Sequence, residues 1–361
     1  MSLNLKTFDF HRIPLRYVLW EVTAGCNLAC LHCRASASPQ TRGNEIEGDE
    51  AQKLIDSLAK LQVEVLVLTG GEPLLRKDIV WLTDYATNKS IRVRIATNGL
   101  LLTKKLCKEL KDAGCFSIGI GIDGPTSKIH DKIRRKRNAF RQALRAIELV
   151  KETGIDCHVE YTAMRWNMNQ VSATIELAAN LGVNTFLARS AIFAGRATPN
   201  QEAFILTPPE YCKFLKTVAV ERYKKQNKIT INSQDPLYHL VDQLLVKKFS
   251  QLADITSGRV ISGCSVGVSM AHINSVGDVG FCTFLPIKIG NILYRDFIDI
   301  WYNRKVFAEK FINRDLNGKC GVCSDKYICG GCRARAWAIN KDVFGSDPYC
   351  WKKVHNEEKF A

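Results

Sequence analysis

Three cysteines lie close together near the start of the chain, at Cys26, Cys30 and Cys33. A tetrahedral zinc ion would need a fourth protein ligand, and His32 is so close to Cys33 in the sequence that joint ligation would be strained. An iron–sulfur cluster takes one thiolate per iron, so three cysteines on a four-iron cluster leave one iron open. Catalysis requires such an open metal position, so the spacing favours a catalytic iron–sulfur site.

A second set of cysteines lies towards the end of the chain. Of the 14 cysteines, seven fall in this part: Cys264, Cys282, Cys320, Cys323, Cys329, Cys332 and Cys350. Their clustering predicts metal ligands, with a pair of structural zinc sites as the alternative to iron–sulfur clusters. The other four stand among apolar neighbours and are predicted to be small core residues: Cys107, Cys115, Cys157 and Cys212.

A repeated pattern of strands and helices positions these residues. From residue 16 to about 190, short apolar runs rich in β-branched residues alternate with helical patterns. This alternation predicts an α/β fold with a parallel sheet, and six units predict a partial (β/α)6 barrel similar to a TIM barrel. The predicted strands are Tyr17–Val22, Val63–Leu68, Ile91–Ala96, Phe116–Ile122, Cys157–Thr162 and Thr185–Ala188.

In a parallel barrel the chemistry gathers at the carboxyl ends of the strands. The cysteine triplet follows the first predicted strand, and the turn Gly70-Gly71-Glu72-Pro73 follows the second. Asn98 and Asp123 follow the third and fourth strands. We therefore expect all of these residues to lie at one end of the barrel.

The chain divides into three predicted regions. Residues 1–205 form the barrel, and residues 206–255 form a helical bridge with predicted helices at Glu210–Gln226 and Pro236–Phe249. Residues 256–361 form a small cysteine-rich domain with short strand signals at Met270–Asn274 and Val279–Phe284 and a helix near Phe297–Arg304. This last region has little core of its own, so we expect it to need a metal.

The length of 361 residues suffices for a core that needs no disulfides. The first twenty residues lack the apolar block of a signal peptide, and no uncharged apolar run approaches the length of a bilayer span. These features predict a soluble cytoplasmic protein with no membrane partner. In that compartment clustered cysteines indicate metal or redox chemistry.

Together, the cysteine triplet and the Gly70–Pro73 turn resemble the signature of the radical S-adenosylmethionine (SAM) family. The resemblance implies a [4Fe-4S] cluster on Cys26, Cys30 and Cys33 whose open iron chelates the amino and carboxylate groups of SAM. An electron from the cluster then cleaves SAM to a 5′-deoxyadenosyl radical, which removes a hydrogen atom from the substrate.

The resemblance also implies SAM contacts at the other strand ends. Gly70 and Gly71 would let the backbone approach the ligand, Glu72 would meet the methionine ammonium and Pro73 would stiffen the turn. Asn98 and Asp123 are further candidate contacts, with a structural Asx-turn as the alternative for each. Many relatives carry Ser at the position of Gly121, so a ribose contact is not implied there.

The later cysteines resemble the SPASM extension found on radical SAM enzymes that modify peptides and cofactors. The resemblance implies that Cys320, Cys323, Cys329 and Cys350 fully ligate one auxiliary [4Fe-4S] cluster. It implies a second auxiliary cluster on Cys264, Cys282 and Cys332, which is one ligand short and can take an outside ligand or the substrate. Three clusters are therefore expected in all.

The net charge of the chain indicates which binding partners to expect. The chain carries 51 Lys and Arg against 36 Asp and Glu, a formal net charge of +15. The most basic run, Lys132–Arg137, is interpreted as a solvated face, and no recognised nucleic-acid-binding module is apparent. The excess is expected to favour an acidic electron donor such as flavodoxin or ferredoxin, or an acidic substrate.

Local strings such as Trp20-Glu21-Val22-Thr23 and residues 329–336 look closest to the branch of the family that works on tetrapyrroles. The expected reaction is therefore a step of heme-type biosynthesis, such as oxidative decarboxylation of coproheme propionates. The alternative is a radical SAM maturase of a ribosomally made peptide. A more distant alternative is a zinc-stabilised nucleic-acid-binding protein without catalysis.

Overall fold

The computed structural model describes residues 13–39, 43–198, 204–241 and 263–353. Strands from these ranges form one sheet. They are β1 (Tyr17–Thr23), β2 (Val65–Gly70), β3 (Arg92–Thr97), β4 (Ser117–Gly121), β5 (Asp156–Ala163), β6 (Thr185–Ser190), β7 (Thr230–Ser233), β8 (Met270–Ile273), β9 (Asp278–Gly280) and β10 (Lys288–Asn291). Their order across the sheet is β10-β9-β8-β1-β2-β3-β4-β5-β6-β7.

Helices connect most of these strands. They are α1 (Gly48–Lys60), α2 (Ile79–Asn88), α3 (Lys104–Asp112), α4 (Ser127–Arg134), α5 (Ala139–Glu152), α6 (Val171–Asn180), α7 (Pro208–Lys224), α8 (Phe297–Tyr302), α9 (Lys305–Ile312), α10 (Gly318–Gly321) and α11 (Arg333–Asn340). Side chains fix several helix starts: Thr103 caps α3, and Thr207 forms a capping box with Glu210 at the start of α7. In the part of the chain that the structure describes, no helix is long and apolar enough to cross a lipid bilayer.

All neighbouring pairs from β1 to β7 are parallel, with helices between successive strands. The six predicted units are present, so the α/β class and the partial barrel are confirmed. The sheet also contains β7, which the sequence does not predict because four residues between two helical patterns give no clear periodicity. Most of the predicted helix Pro236–Phe249 lies outside the described residues.

The cysteine-rich region joins the same sheet. Strand β8 pairs in parallel with β1, with Tyr17 opposite Met270 and Trp20 opposite Ile273. Against the expectation of little core, this region buries aromatic side chains, and the rings of Phe281 and Phe311 meet edge to face at 5.6 Å. These side chains pack in one core with those of the barrel, so metal is not the region's only source of cohesion.

Strand residues alternate between the helices and the barrel interior. In β5, Cys157, Val159 and Tyr161 are buried under the helices, whereas His158 and Glu160 belong to the other face. The interior face of β5 therefore carries polar and charged side chains, where a TIM barrel usually has branched aliphatic residues.

One buried ion network fastens the cysteine-rich region to the end of β7. Arg335 of α11 pairs with Asp347 at 2.7 Å and with Asp235, which follows β7. The guanidinium also lies over the rings of Tyr211 and Tyr349, at 4.9 and 5.1 Å from their centroids. Burial alone would raise the pKa of Asp347, but the Arg335 charge holds that pKa below its usual value. Both carboxylates therefore depend on one cation.

We predict that Arg335→Leu destabilises the protein by about 3–5 kcal/mol, because the change leaves two buried carboxylates without a counter-ion. Urea unfolding followed by circular dichroism measures the loss. Lys108→Leu, which removes an exposed ion pair on α3, serves as the control and should leave the unfolding midpoint unchanged. An unaltered midpoint in Arg335→Leu would mean that the network does not hold the two regions together.

Candidate functional site

The cysteine triplet lies on the loop that leaves β1. Cys26 and Cys30 are buried, and Cys33 is half-buried. Burial, together with the negative charges of Glu72, Cys30 and Cys33, raises the pKa of the Cys26 thiol to about 11. Three thiols are thus held so close together that ionising them requires a nearby cation, which the irons of a cluster would supply. The donor set fits such a group.

A short 3-10 turn after β6, Gly195–Ala197, holds this loop in place. Arg196 donates from Nε to the carbonyl of Cys30 at 2.8 Å and from Nη1 to the carbonyl of Ala37 at 2.7 Å. Gly195 packs so tightly that a Cβ there would lie 2.5 Å from the carbonyl oxygen of Cys33. Nothing in the sequence marks Arg196, because its partners are backbone groups far away in the chain.

The turn after β2 packs directly on the cysteine loop. A Cβ on Gly71 would lie 2.0 Å from the carbonyl oxygen of Gly25, and one on Gly70 would lie 2.3 Å from that of Thr23. The backbone N–H groups of Gly71 and Glu72 donate to the same two carbonyls, each at 2.8 Å. The close approach that requires glycine here is therefore to the loop backbone.

Glu72 is fully buried and bonded within the protein. Its carboxylate accepts hydrogen bonds from Thr97 Oγ1 at 2.6 Å, from the Asn98 N–H at 2.8 Å and from the Leu74 N–H at 3.1 Å. The last of these caps the short 3-10 helix that begins at Pro73. Burial raises the pKa of Glu72 despite these bonds. Glu72 thus ties the ends of β2 and β3 together.

Asn98 also contacts the cysteine loop. Its Oδ1 accepts from the Leu100 N–H at 3.0 Å, which is the Asx-turn that the sequence allows. Its Nδ2 donates to Asn27 Oδ1 at 2.7 Å, and Asn27 follows the first cysteine of the triplet. Asn98 therefore links the end of β3 to the triplet.

Asp123 at the end of β4 is fully buried and paired with Arg134 of α4. Arg134 Nε donates to Asp123 Oδ2 at 2.7 Å, and Arg134 Nη1 lies 4.0 Å from the sulfur of Cys30. Burial alone would raise the pKa of Asp123, but the Arg134 charge holds that pKa below its usual value. The pair therefore presents a fixed guanidinium beside the triplet.

The basic run Lys132–Arg137 is a solvated face except at Arg134, because the other cations of the run are exposed but the side chain of Arg134 is only 12% exposed. The guanidinium occupies the space beside Gly121, where a Cβ would lie 2.1 Å from Arg134 Nη2. The missing side chain at position 121 thus makes room for Arg134. The helical spacing of His130, Ile133 and Arg134, of which the first two are buried and the third half-buried, could have indicated an inward face.

Two buried polar atoms near the triplet lack a partner among the described residues. They are Asp123 Oδ1 and His32 Nδ1, and His32 Nε2 lies 4.0 Å from Asp123 Oδ2. Burial lowers the pKa of His32 to about 4, so its ring is neutral at pH 7. Buried orphan atoms cost free energy unless a further group meets them. They fit a polar ligand bound beside the triplet.

A second network links the triplet to the cysteine-rich region. Arg34, next to Cys33, pairs with Glu21 at 2.6 Å and donates to the carbonyl of Thr283 at 3.0 Å. Glu21 also bonds His272 Nε2 at 2.7 Å. Burial alone would raise the pKa of Glu21, but Arg34 and His272 lower it to about 2. Arg34, which follows Cys33, therefore binds directly to Thr283, which follows Cys282.

The later cysteines fall into two groups in space. One group lines a single small cavity, and its members are Cys320, Cys323, Cys329 and Cys350. In the other group, Cys264 lies close enough to raise the pKa of both Cys282 and Cys332, although burial is the larger cause. Among the described residues, no three His, Cys, Asp or Glu side chains lie close enough to hold a single metal ion.

Comparison with known families identifies the two regions. A family model described as the Radical SAM superfamily matches residues 20–178. A second, SPASM, described as an iron-sulfur cluster-binding domain, matches residues 264–325. The first range covers the cysteine triplet and β1 to β5. The second covers β8 to β10 and four of the later cysteines.

Whole-chain relatives agree with these matches. The chain is 33% identical to the AdoMet-dependent heme synthase of Methanosarcina barkeri, over 93% of this chain and 96% of that protein. It is 28% identical to the mycofactocin maturase MftC of Mycobacterium ulcerans, over 92% of this chain and 86% of that protein. The solved structure of Streptococcus suis SuiB bound to precursor peptide SuiA shares the fold, with a TM-score of 0.74 at 18% identity over 95% of this chain and 77% of that one.

The full-length similarity to the heme synthase and the two domain matches have one explanation. This chain belongs to the radical SAM superfamily. It is a radical SAM enzyme that carries a SPASM domain, and the enzyme binds SAM and iron–sulfur clusters.

Proposed function

We propose that this radical SAM enzyme acts on a tetrapyrrole and oxidatively decarboxylates propionate side chains of coproheme. The observation that carries this proposal is the 33% identity, over nearly the full length of both chains, with a protein named AdoMet-dependent heme synthase. A second relative from the same organism, named Fe-coproporphyrin III synthase, is 28% identical over 96% of this chain. Arg94 and Arg189 share the single carboxylate of Glu160 inside the barrel, and this excess of positive charge suits a substrate that carries carboxylates.

In this proposal Cys26, Cys30 and Cys33 hold the cluster that binds SAM. When bound there, the cluster supplies the electron that cleaves SAM to methionine and the 5′-deoxyadenosyl radical, which takes a hydrogen atom from the substrate. The turn from Gly70 to Pro73 and the Glu72 carboxylate keep the triplet loop and the ends of β2 and β3 in register.

Arg134 and Asp123 give the site its charge in this proposal. The guanidinium beside Cys30 can neutralise the carboxylate of a SAM molecule bound next to the triplet, while Asp123 keeps it in position. The free Oδ1 of Asp123 is available to accept a hydrogen bond from the ligand. Asn98 contributes by holding Asn27 and the loop.

We further propose two auxiliary [4Fe-4S] clusters. Cys320, Cys323, Cys329 and Cys350, which line one cavity, would ligate the first completely. Cys264, Cys282 and Cys332 would hold the second and leave one iron open. The loss of carbon dioxide after hydrogen abstraction releases one electron, so the reaction needs a one-electron acceptor, and an auxiliary cluster is the candidate.

The triplet proposal is tested by replacing Cys26, Cys30 and Cys33 with Ala together. We expect anaerobically reconstituted wild-type enzyme to hold about 12 iron atoms and the triple variant about 8, since each cluster contributes four. The variant should lose 5′-deoxyadenosine formation and keep the absorbance of the remaining clusters. Cys212→Ala is the matched control and should retain both. Loss of all iron from the triple variant would contradict separate sites.

The substrate is tested by incubating reduced enzyme and SAM with iron-coproporphyrin III. The expected product has lost one carbon dioxide and two hydrogen atoms from each converted propionate, as mass spectrometry would show. A peptide-maturase function is the second candidate, because the similarity to mycofactocin maturase MftC also extends over 92% of this chain. An unchanged porphyrin, with conversion of a candidate precursor peptide instead, would favour the maturase and rule out the tetrapyrrole.

We also propose that an acidic flavodoxin or ferredoxin delivers electrons in the cytoplasm, at the face formed by Val322, Lys326, Tyr327 and Lys352. Lys326 and Lys352 line the cavity of the four cysteines, and the side chains of Tyr327 and Val322 are 60% and 47% exposed. A positive rim around exposed apolar side chains suits an acidic partner.

Introducing a negative charge on this face tests the proposal. In Tyr327→Glu we expect SAM cleavage driven by flavodoxin or ferredoxin to fall several-fold, because the new charge repels an acidic partner. Cleavage driven by dithionite should be unchanged. Tyr294→Glu, at an 87% exposed tyrosine elsewhere on the surface, is the control. Equal donor-driven rates in both variants would place the docking face elsewhere.

A further inference from the structure

Three charged side chains converge on the inner face of the barrel. They are Arg94 on β3, Glu160 on β5 and Arg189 on β6. One oxygen of Glu160 accepts from Arg94 Nη2, and the other accepts from Arg189 Nη2. A single carboxylate is therefore shared between two guanidinium groups.

Gly119 of β4 makes this arrangement possible. Strand β4 lies between β3 and β5, so the Glu160 side chain must cross it to reach Arg94. A Cβ at position 119 would lie 2.6 Å from Glu160 Oε1 and 3.0 Å from Arg94 Nη2. Because any side chain there would collide with the pair, the glycine opens the wall of the barrel at this point.

The three groups carry one positive charge in excess. Burial alone would raise the pKa of Glu160, but Arg189 and Arg94 keep it below its usual value, so Glu160 is ionised at pH 7. His158, on the same face of β5, adds no charge, because burial lowers its pKa to about 4. Two guanidinium groups and one carboxylate thus leave a net charge of +1 inside the barrel, where an uncompensated charge is unfavourable.

Donor groups remain available around this charge. Arg94 Nε is buried and has no hydrogen-bond partner among the described residues. The Arg189 side chain is 32% exposed, and within the described ranges it donates one hydrogen bond, from Nη2 to Glu160. Arg189 lies near the carboxyl end of β6, and the turn that follows this strand contacts the triplet loop, since the Arg196 N–H donates to the carbonyl of Cys33 at 3.0 Å. The free donors therefore lie near the proposed SAM site.

From this arrangement we infer that Arg189 is the receptor for a carboxylate group of the substrate. Arg94 and Glu160 act as positioning residues that hold the Arg189 guanidinium at the inner wall. A guanidinium offers parallel N–H donors that match a carboxylate, and the bound anion would neutralise the excess charge. The inference rests on the proposed function and deepens it, because it names the group by which this site recognises a tetrapyrrole acid.

The test measures binding to the reconstituted holoenzyme without turnover. Iron-coproporphyrin III and its tetramethyl ester are titrated in the absence of SAM, and the porphyrin absorbance reports the dissociation constant. We expect the acid to bind wild-type enzyme more tightly than the ester. In Arg189→Gln the affinity for the acid should fall about 10- to 100-fold, the range for a lost charge-assisted hydrogen bond. Arg189→Lys should recover part of this loss.

Two controls keep folding apart from recognition. The iron content of Arg189→Gln must equal that of the wild type, and its affinity for the ester should be unchanged. Arg141→Gln, at an exposed arginine of α5, should bind the acid as the wild type does. Unchanged affinity of Arg189→Gln for the acid, or equal affinities of the wild type for acid and ester, would overturn the inference.

A failure of the proposed substrate gives a different result. If the wild type cleaves SAM but binds no porphyrin, the tetrapyrrole proposal is wrong. The affinities of the wild type and of Arg189→Gln are then measured for an acidic precursor peptide and for a copy of that peptide with Gln in place of each Glu. These affinities decide whether Arg189 binds a carboxylate of the substrate. Loss of binding to the acidic peptide alone supports the receptor, and equal binding of both peptides rejects it.

Discussion

The backbone contact between the turn after β2 and the loop after β1 determines where the chemistry of this protein lies. Gly71 and Gly25 approach so closely that any side chain at position 71 would collide with the backbone of the cysteine loop. Glu72 extends this contact to β3, and Arg196 secures the opposite side of the loop from beyond β6. Three distant segments of the barrel thus hold one loop, and a loop held in this way can present three thiols in a fixed arrangement.

The barrel interior imposes the second constraint, because ionised side chains that are buried there need partners of opposite charge. Three acidic side chains meet arginines: Glu21 meets Arg34, Asp123 meets Arg134, and Glu160 meets two arginines. Such pairs are costly to bury and add little stability of their own. A cavity that only had to be filled would be at least as stable with apolar side chains. The charged pairs therefore suit a cavity that receives a charged ligand.

Much of the fold is predictable from the sequence because its signals are local. Buried strands read as apolar runs, so β1 to β6 are predicted to within a few residues, and the triplet and Gly70–Pro73 turn mark the strand ends. The partners of long side chains are not local. Arg134 looks like part of a solvated basic run until α4 turns it towards Asp123, and nothing near Arg94 in the sequence indicates Glu160. Membership of the radical SAM superfamily also removes the non-catalytic zinc protein from consideration.

The position of β1 has a consequence for how the protein matures. This strand pairs with β2 on one side and with β8 on the other, and β8 lies about 250 residues further along the chain. During synthesis the amino-terminal strand must therefore wait, with one edge unpaired, until most of the polypeptide has left the ribosome. The contact between Arg34, at the end of the cysteine triplet, and the carbonyl of Thr283 also forms only then. The amino-terminal loop that carries the triplet thus receives its last contacts from one of the last parts of the chain to be synthesised.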